Sequence, residues 1–189
     1  MMYLSRGIPA KPPKGSSLGV SYCGRVYAMG PELSALWKAG RASPIPVPAG
    51  CMRTLCRLEE SGLVVTTEED GPLALTVYRL LTACVICPNK KERKTDRFLT
   101  QPVRRIWTWI TEAGLHLTAS ELVRLEERQL KPTPALLGEE GRQRLTEMIY
   151  MAETIPDGIL ETLMEHSPAR DTTMSALLKL LRTGRIFLI

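Results

Sequence analysis

The chain has 189 residues, 44% of them hydrophobic and 24% charged, ordinary proportions for a globular protein with a buried core. No apolar run approaches the ~18 residues of a membrane span. The opening MMYLSRGIPAKPPKGSS has neither the continuous apolar core nor the small-residue cleavage site of a secretory signal. The net charge of +5 is concentrated in one place. Residues 89–105 hold Lys90, Lys91, Arg93, Lys94, Arg97, Arg104 and Arg105 against Glu92 and Asp96, and the rest of the chain carries 18 cations and 18 acids. Such a segment attracts phosphate backbones or another acidic partner; the alternative is a solvated linker. Five cysteines, an odd number without a signal peptide, point to free thiols in the cytoplasm.

In chain order, residues 1–17 read as a Pro-rich disordered arm. Two short β-prone runs about Cys23-Gly24 suggest a hairpin or one bent strand across 18–30. PELSALWKAGR follows as a helix, with Pro31 at its first position, Glu32 in its first turn and Leu33, Leu36 and Trp37 on one face. ASPIPVPAG, with three alternating prolines, is extended or turn. Residues 51–62 form a helix whose stripe is Met52, Leu55, Cys56 and either Leu58 or Glu59; Arg53, Thr54, Arg57 and Glu60 face away, and Gly62 stops it. LVVTT is then a strand, EEDGP a turn, and LALTVYRLL a second strand rich in β-branched and aromatic residues.

Beyond the basic segment the pattern is helical. VRRIWTWITEAG places Trp107 and Trp109 about 200° apart, one for the interior and one for the surface. Thr118 and Glu121 form a capping box ahead of Leu122 and Leu125. Further helices lie in 138–154, from Pro156 and Asp157 to Pro168, and before Gly184, after which the chain ends in a short apolar strand. CMRTLCRLEESGLVVTT and MSALLKLLRTGRIFLI share one plan: a leucine-faced helix, a glycine stop and an immediate strand.

Cys84-Val-Ile-Cys87 has the spacing of half a zinc site, with Cys23, Cys51 and Cys56 as the remaining thiols; the plainer reading is a pair of thiols at the end of a buried strand. His116 falls in a turn and His166 near a helix C-terminus. No Ser-His-Asp or Cys-His arrangement and no Gly-rich phosphate loop is visible, so neither an enzyme nor a cofactor is expected.

Residues 53–81 resemble the back half of winged helix-turn-helix regulators of the MarR, PadR and ArsR kind. The resemblance lies in Leu58-Glu59-Glu60-Ser61-Gly62-Leu63-Val64 at the end of a recognition helix and in Tyr78-Arg79-Leu80 at the end of a wing. GVSYCGRVYAMGPELSALW resembles, more distantly, the opening of PqqD-type peptide-binding domains. The first resemblance implies an α+β, mostly helical fold of two winged-helix units, the second more helical. The corresponding division is an arm at 1–17, a winged helix at 18–82, a basic linker at 83–102 and a helical domain at 103–189. It implies a bacterial transcription regulator that binds double-stranded DNA as a homodimer through residues 103–154. Arg53, Thr54 and Arg57 would enter the major groove, and Lys90, Lys91, Arg93, Lys94, Arg97, Arg104 and Arg105 would hold phosphates. The acidic tip Glu68-Glu69-Asp70 departs from that pattern, as does the proline stretch where a helix should precede the recognition helix. The proline stretch points to a degenerate domain or to an extended turn with a different pairing of elements, and the acidic tip favours the alternative, a protein-interaction module on a winged-helix scaffold that does not bind DNA.

Overall fold

The computed structural model describes residues 1–89, 99–150 and 159–189. Among these residues the fold is α+β and mostly helical, with eight helices and three small antiparallel sheets. No described helix is long and apolar enough to cross a membrane.

The expected N-terminal arm is a correction. Residues Met2–Ser5 form strand β1, buried at all four positions, and Ile8–Ala10 form β2. β1 is the central strand of a three-stranded sheet. Tyr3 lies opposite Ile45 of β5 (Ile45–Pro46) on one side and opposite Thr66 of β6 (Val64–Thr67) on the other. Successive strand residues point to opposite faces, and both faces here are covered. Tyr3 enters a core with Leu36, Trp37, Leu55, Leu58 and Leu63. Met2 and Leu4 enter a second, larger core. Burial pushes the Tyr3 phenol up to about 12, so it stays protonated and donates to the Leu36 carbonyl at 3.0 Å.

The hairpin about Cys23-Gly24 forms as β3 (Leu18–Tyr22) and β4 (Arg25–Met29), with β2 on its other edge. Cys23 and Gly24 have φ of 48° and 75°, the two positive values that a two-residue turn of the I′ kind requires. Helix α1 (Pro31–Ala39) follows, with Pro31 in its first turn as expected. Gly40 has an ordinary negative φ. Its small size matters because a Cβ there would lie 2.6 Å from Tyr3 Cε2 and 2.8 Å from Ser5 Oγ.

Helix α2 (Met52–Glu60) buries Leu55 and Leu58 and runs into β6. At Gly62 (φ +72°) the chain reverses, with Gly62 N–H donating to Glu59 O and Leu63 N–H to Leu58 O, both at 2.8 Å. Helix α8 (Arg170–Arg182) ends the same way before β8 (Ile186–Leu188). Gly184 (φ +67°) donates to Leu181 O and Arg185 to Leu180 O, both at 2.9 Å. These paired bonds are the Schellman stop, and the shared plan read from the sequence is present at both places.

The expected second strand of the wing is instead a helix, α3 (Leu73–Thr82). Val77, Leu80, Leu81 and Cys84 are buried at helical spacing, and Thr76 and Tyr78 are buried beside them. Nearly every position is apolar, β-branched or aromatic, so periodicity alone does not separate strand from helix. Packing decides it: α3 lies across β1 and β6 and against α8, in the larger core. Helix α3 thus packs both on strands that precede it and on α8 that follows it. No hairpin follows α2, and β6 is paired with β1.

Strand β7 (Ile86–Pro88) pairs with β8, Ile86 opposite Leu188. Gly7 N–H donates to Leu188 O at 2.7 Å, which ties β8 to the segment after β1. Helix α4 (Val103–Glu112) buries both Trp107 and Trp109, at 1% and 0% exposure. The expectation of one exposed tryptophan fails because α4 is enclosed by α8 and β7, with the Arg185 guanidinium 5.5 Å from the Trp107 ring. Helix α5 (Ala119–Glu127) carries the expected capping box, Thr118 and Glu121 each bonding the other's backbone N–H. Helices α6 (Gly138–Tyr150) and α7 (Ile159–Glu165) complete the larger core. The expected helix start at Pro156 and Asp157 lies outside the described residues.

Because β1 serves both cores, Leu4→Ala should lower unfolding stability by about 2–5 kcal/mol in urea titrations. A chain lacking residues 1–6 should lose the cooperative transition altogether. An arm would tolerate both changes.

Candidate nucleic-acid interface

Helix α2 places the first group of expected contacts. Leu55 and Leu58 fasten it to the smaller core, which leaves Arg53 and Arg57 exposed one turn apart, with Met52, Cys56 and Glu60 beside them. Neither guanidinium is in an ion pair among the described residues. Glu59 is drawn toward β6, where its carboxylate accepts the Thr66 hydroxyl. Thr54 stands apart from the two arginines. It is half-buried in a cleft of about 520 Å³ between α1 and α2, with Ala35, Leu36, Ala39 and Cys51 among its neighbours.

The acidic stretch Glu68-Glu69-Asp70 is not a hairpin tip but a loop between β6 and α3. Arg79 on the next helix reaches back to it, bonding Asp70 at 2.5 Å, and also bonds Glu165 of α7 through Nε and Nη2 at 3.1 and 2.7 Å. The Arg79 hydrogen bond holds the Asp70 carboxyl below its ordinary range. In turn the Asp70 and Glu165 carboxylates raise Arg79. The Tyr-Arg-Leu sequence that suggested a wing strand is thus a helix whose arginine bridges a loop and a neighbouring helix.

The basic segment is split. Lys90, Lys91, Arg93, Lys94 and Arg97 lie outside the described residues. Arg104 is exposed near the start of α4 and lines a small cleft with Gln101, Thr108 and Lys131. Arg105 is committed to the interior. Its Nε donates to Glu126 Oε1 at 2.6 Å and its Nη2 to Glu126 Oε2, and Glu126 is 7% exposed. That hydrogen-bonded carboxylate raises the Arg105 guanidinium. Removing Arg105 would leave a buried charge unpaired, so Arg105 has a structural role that the basic run alone did not indicate.

The thiols fall into two environments. Cys84 is buried at the end of α3, its Sγ 3.2 Å from Leu80 O, and burial pushes it up to about 12. Cys87 is half-buried in β7, 3.9 Å from His116 Nδ1, and is also raised by burial. Neither is an activated thiolate. Among the described residues no cluster of three His, Cys, Asp or Glu side chains is placed to hold a metal.

One polar surface has no counterpart among the expected sites. The outward side of α8 carries Thr172, Ser175, Lys179 and Arg182, all exposed. Its signal is present in the repeated helix-glycine-strand plan, but its cations are isolated in the sequence and the dense basic segment outweighs them. No protein-family model matches this chain, and comparison with curated proteins and with solved structures found no match.

The Asp70–Arg79 pair predicts a pH effect. A carboxylate lowered on folding contributes stability above its unfolded pKa and loses it as pH falls through the lower folded value. In a carboxyl-detected NMR titration Asp70 should therefore titrate below the ordinary aspartate range, and Arg79→Ala should return it to that range.

Proposed function

We propose that the protein binds double-stranded DNA on a winged-helix-like scaffold and acts as a transcription regulator. The observation that carries this reading is the outer face of α2. It presents Arg53 and Arg57 without acidic partners on a helix fixed by Leu55 and Leu58. A helix docked on one side with two free guanidinium groups on the other is the element that a major groove admits. Arg104 lies on the same chain segment as the basic run and would add a phosphate contact. Engagement of Asp70 by Arg79 removes one of the three repulsive carboxylates from the loop after β6. A homodimer would set two copies of α2 about one helical turn apart on the duplex.

The second reading, a protein-interaction module, is favoured by one observation: the segment that would form a wing hairpin is α3, packed inside the protein.

Fluorescence anisotropy with a labelled duplex separates the two. Arg53→Ala combined with Arg57→Ala should weaken binding at least about tenfold. It should also flatten the plot of log K against log salt by about 2, since each phosphate that a cation neutralises adds roughly 0.9 to the slope. Retention of full affinity by the double variant, or absence of duplex binding by the parent protein at low salt, would rule out the α2 interface.

A further inference from the structure

A second cleft, of about 410 Å³, lies on the seam between the two cores. Its walls come from the end of β1 and the turn after it, from the end of α1, and from the α8–Gly184–β8 junction. Lys38, Arg41 and Arg182 line it, and no acidic residue does. None of the three is in an ion pair among the described residues. Lys38 and Arg182 stand in the last turns of their helices, where cations suit the backbone dipole; that accounts for two of them.

Arg41 lies beyond α1, and its position has another cause. Its guanidinium carbon is 5.6 Å from the Trp37 ring and 5.5 Å from the Phe187 ring, so one aromatic from each side of the seam holds it. Burial lowers its pKa from the ordinary value, the mark of a cation removed from water with no anion supplied in return.

Ser5 is the second, independent sign. It is 4% exposed, lines the cleft, and its hydroxyl has no hydrogen-bond partner. A buried hydroxyl left unpaired is unfavourable, and Ser5 stands in the wall of the cleft.

We propose that this cleft binds the phosphate group of a small phosphorylated molecule, with Lys38, Arg41 and Arg182 as its cations and the Ser5 hydroxyl as a donor. Three positive charges without a counter-ion suit a phosphate monoester dianion, and the planar guanidinium fork matches its oxygens. The volume falls within the roughly 300–1,000 Å³ of small-ligand sites. A duplex presents its phosphodiesters on a convex surface and is poorly shaped to reach a hydroxyl as deeply placed as that of Ser5. The inference is independent of the DNA reading, because Arg53 and Arg57 take no part in it.

Isothermal titration calorimetry with inorganic phosphate and with phenyl phosphate, against chloride at equal ionic strength, tests it. Both phosphates should bind, and Lys38→Gln and Arg182→Gln should each weaken them about tenfold, as expected for a charged hydrogen bond. Ser5→Ala should weaken them severalfold while leaving the melting temperature unchanged or higher, since that hydroxyl has no partner to lose. Arg41→Gln should abolish binding; should it fail to fold, the two exposed substitutions carry the test. Wild-type affinity in both of those variants, or a response no greater than that to chloride, would overturn the proposal. So would displacement of phosphate by a short duplex whose binding falls equally in both variants, since the cations would then serve the DNA backbone.

Discussion

The fold depends on one four-residue strand having two apolar faces. Tyr3 points one way and Met2 and Leu4 the other, and each side is closed by its own helices. A strand buried on both faces, with neighbours on both edges, has little freedom of register, because a slip of one residue exchanges the two cores' side chains. The segment just beyond it is pinned as well. Arg6 N–H donates to Leu63 O, its side chain to Ala83 O, and its carbonyl accepts the Trp37 indole. Through these bonds the α2–β6 junction, the end of α3 and helix α1 share one anchor.

Around that anchor the same local device is used twice. In each half a leucine-faced helix ends at a left-handed glycine and turns directly into a strand. In the first half the strand pairs with β1, and in the second with β7. In the second half the end of α8 also lies across a cleft from the end of α1. The cations that end both helices thereby come together with Arg41 on the seam. Charge concentration in space thus arises where the sequence shows only isolated basic residues.

Local signals were legible in the sequence wherever a single residue type has a specific backbone consequence. The Cys23-Gly24 turn, Pro31 at a helix start, the Thr118–Glu121 capping box and the stops at Gly62 and Gly184 all occur where their chemistry places them. Elements whose identity depends on distant partners were not legible. β1 is too short to show alternation and stands before a proline-rich run. The segment from Leu73 to Thr82 has strand-like composition and becomes a helix because β1, β6 and α8 surround it. Arg105 looked like one more cation in a basic run, and only the fold reveals the buried Glu126 beside it. The seam cleft had no linear signature at all, since Ser5 meets the end of α1 through its N–H bond to Gly40 O, and Arg182 is brought to them with β8, which Gly7 N–H ties to the segment after β1.

The pairing of β7 with β8 has a temporal consequence. Ile86 and its partner Leu188 stand about a hundred positions apart, with all of α4 to α8 between them. Closing so long a loop is an entropic burden on the route to the native state. The smaller core, whose buried members run from Tyr3 to Val64, closes over a shorter span of chain.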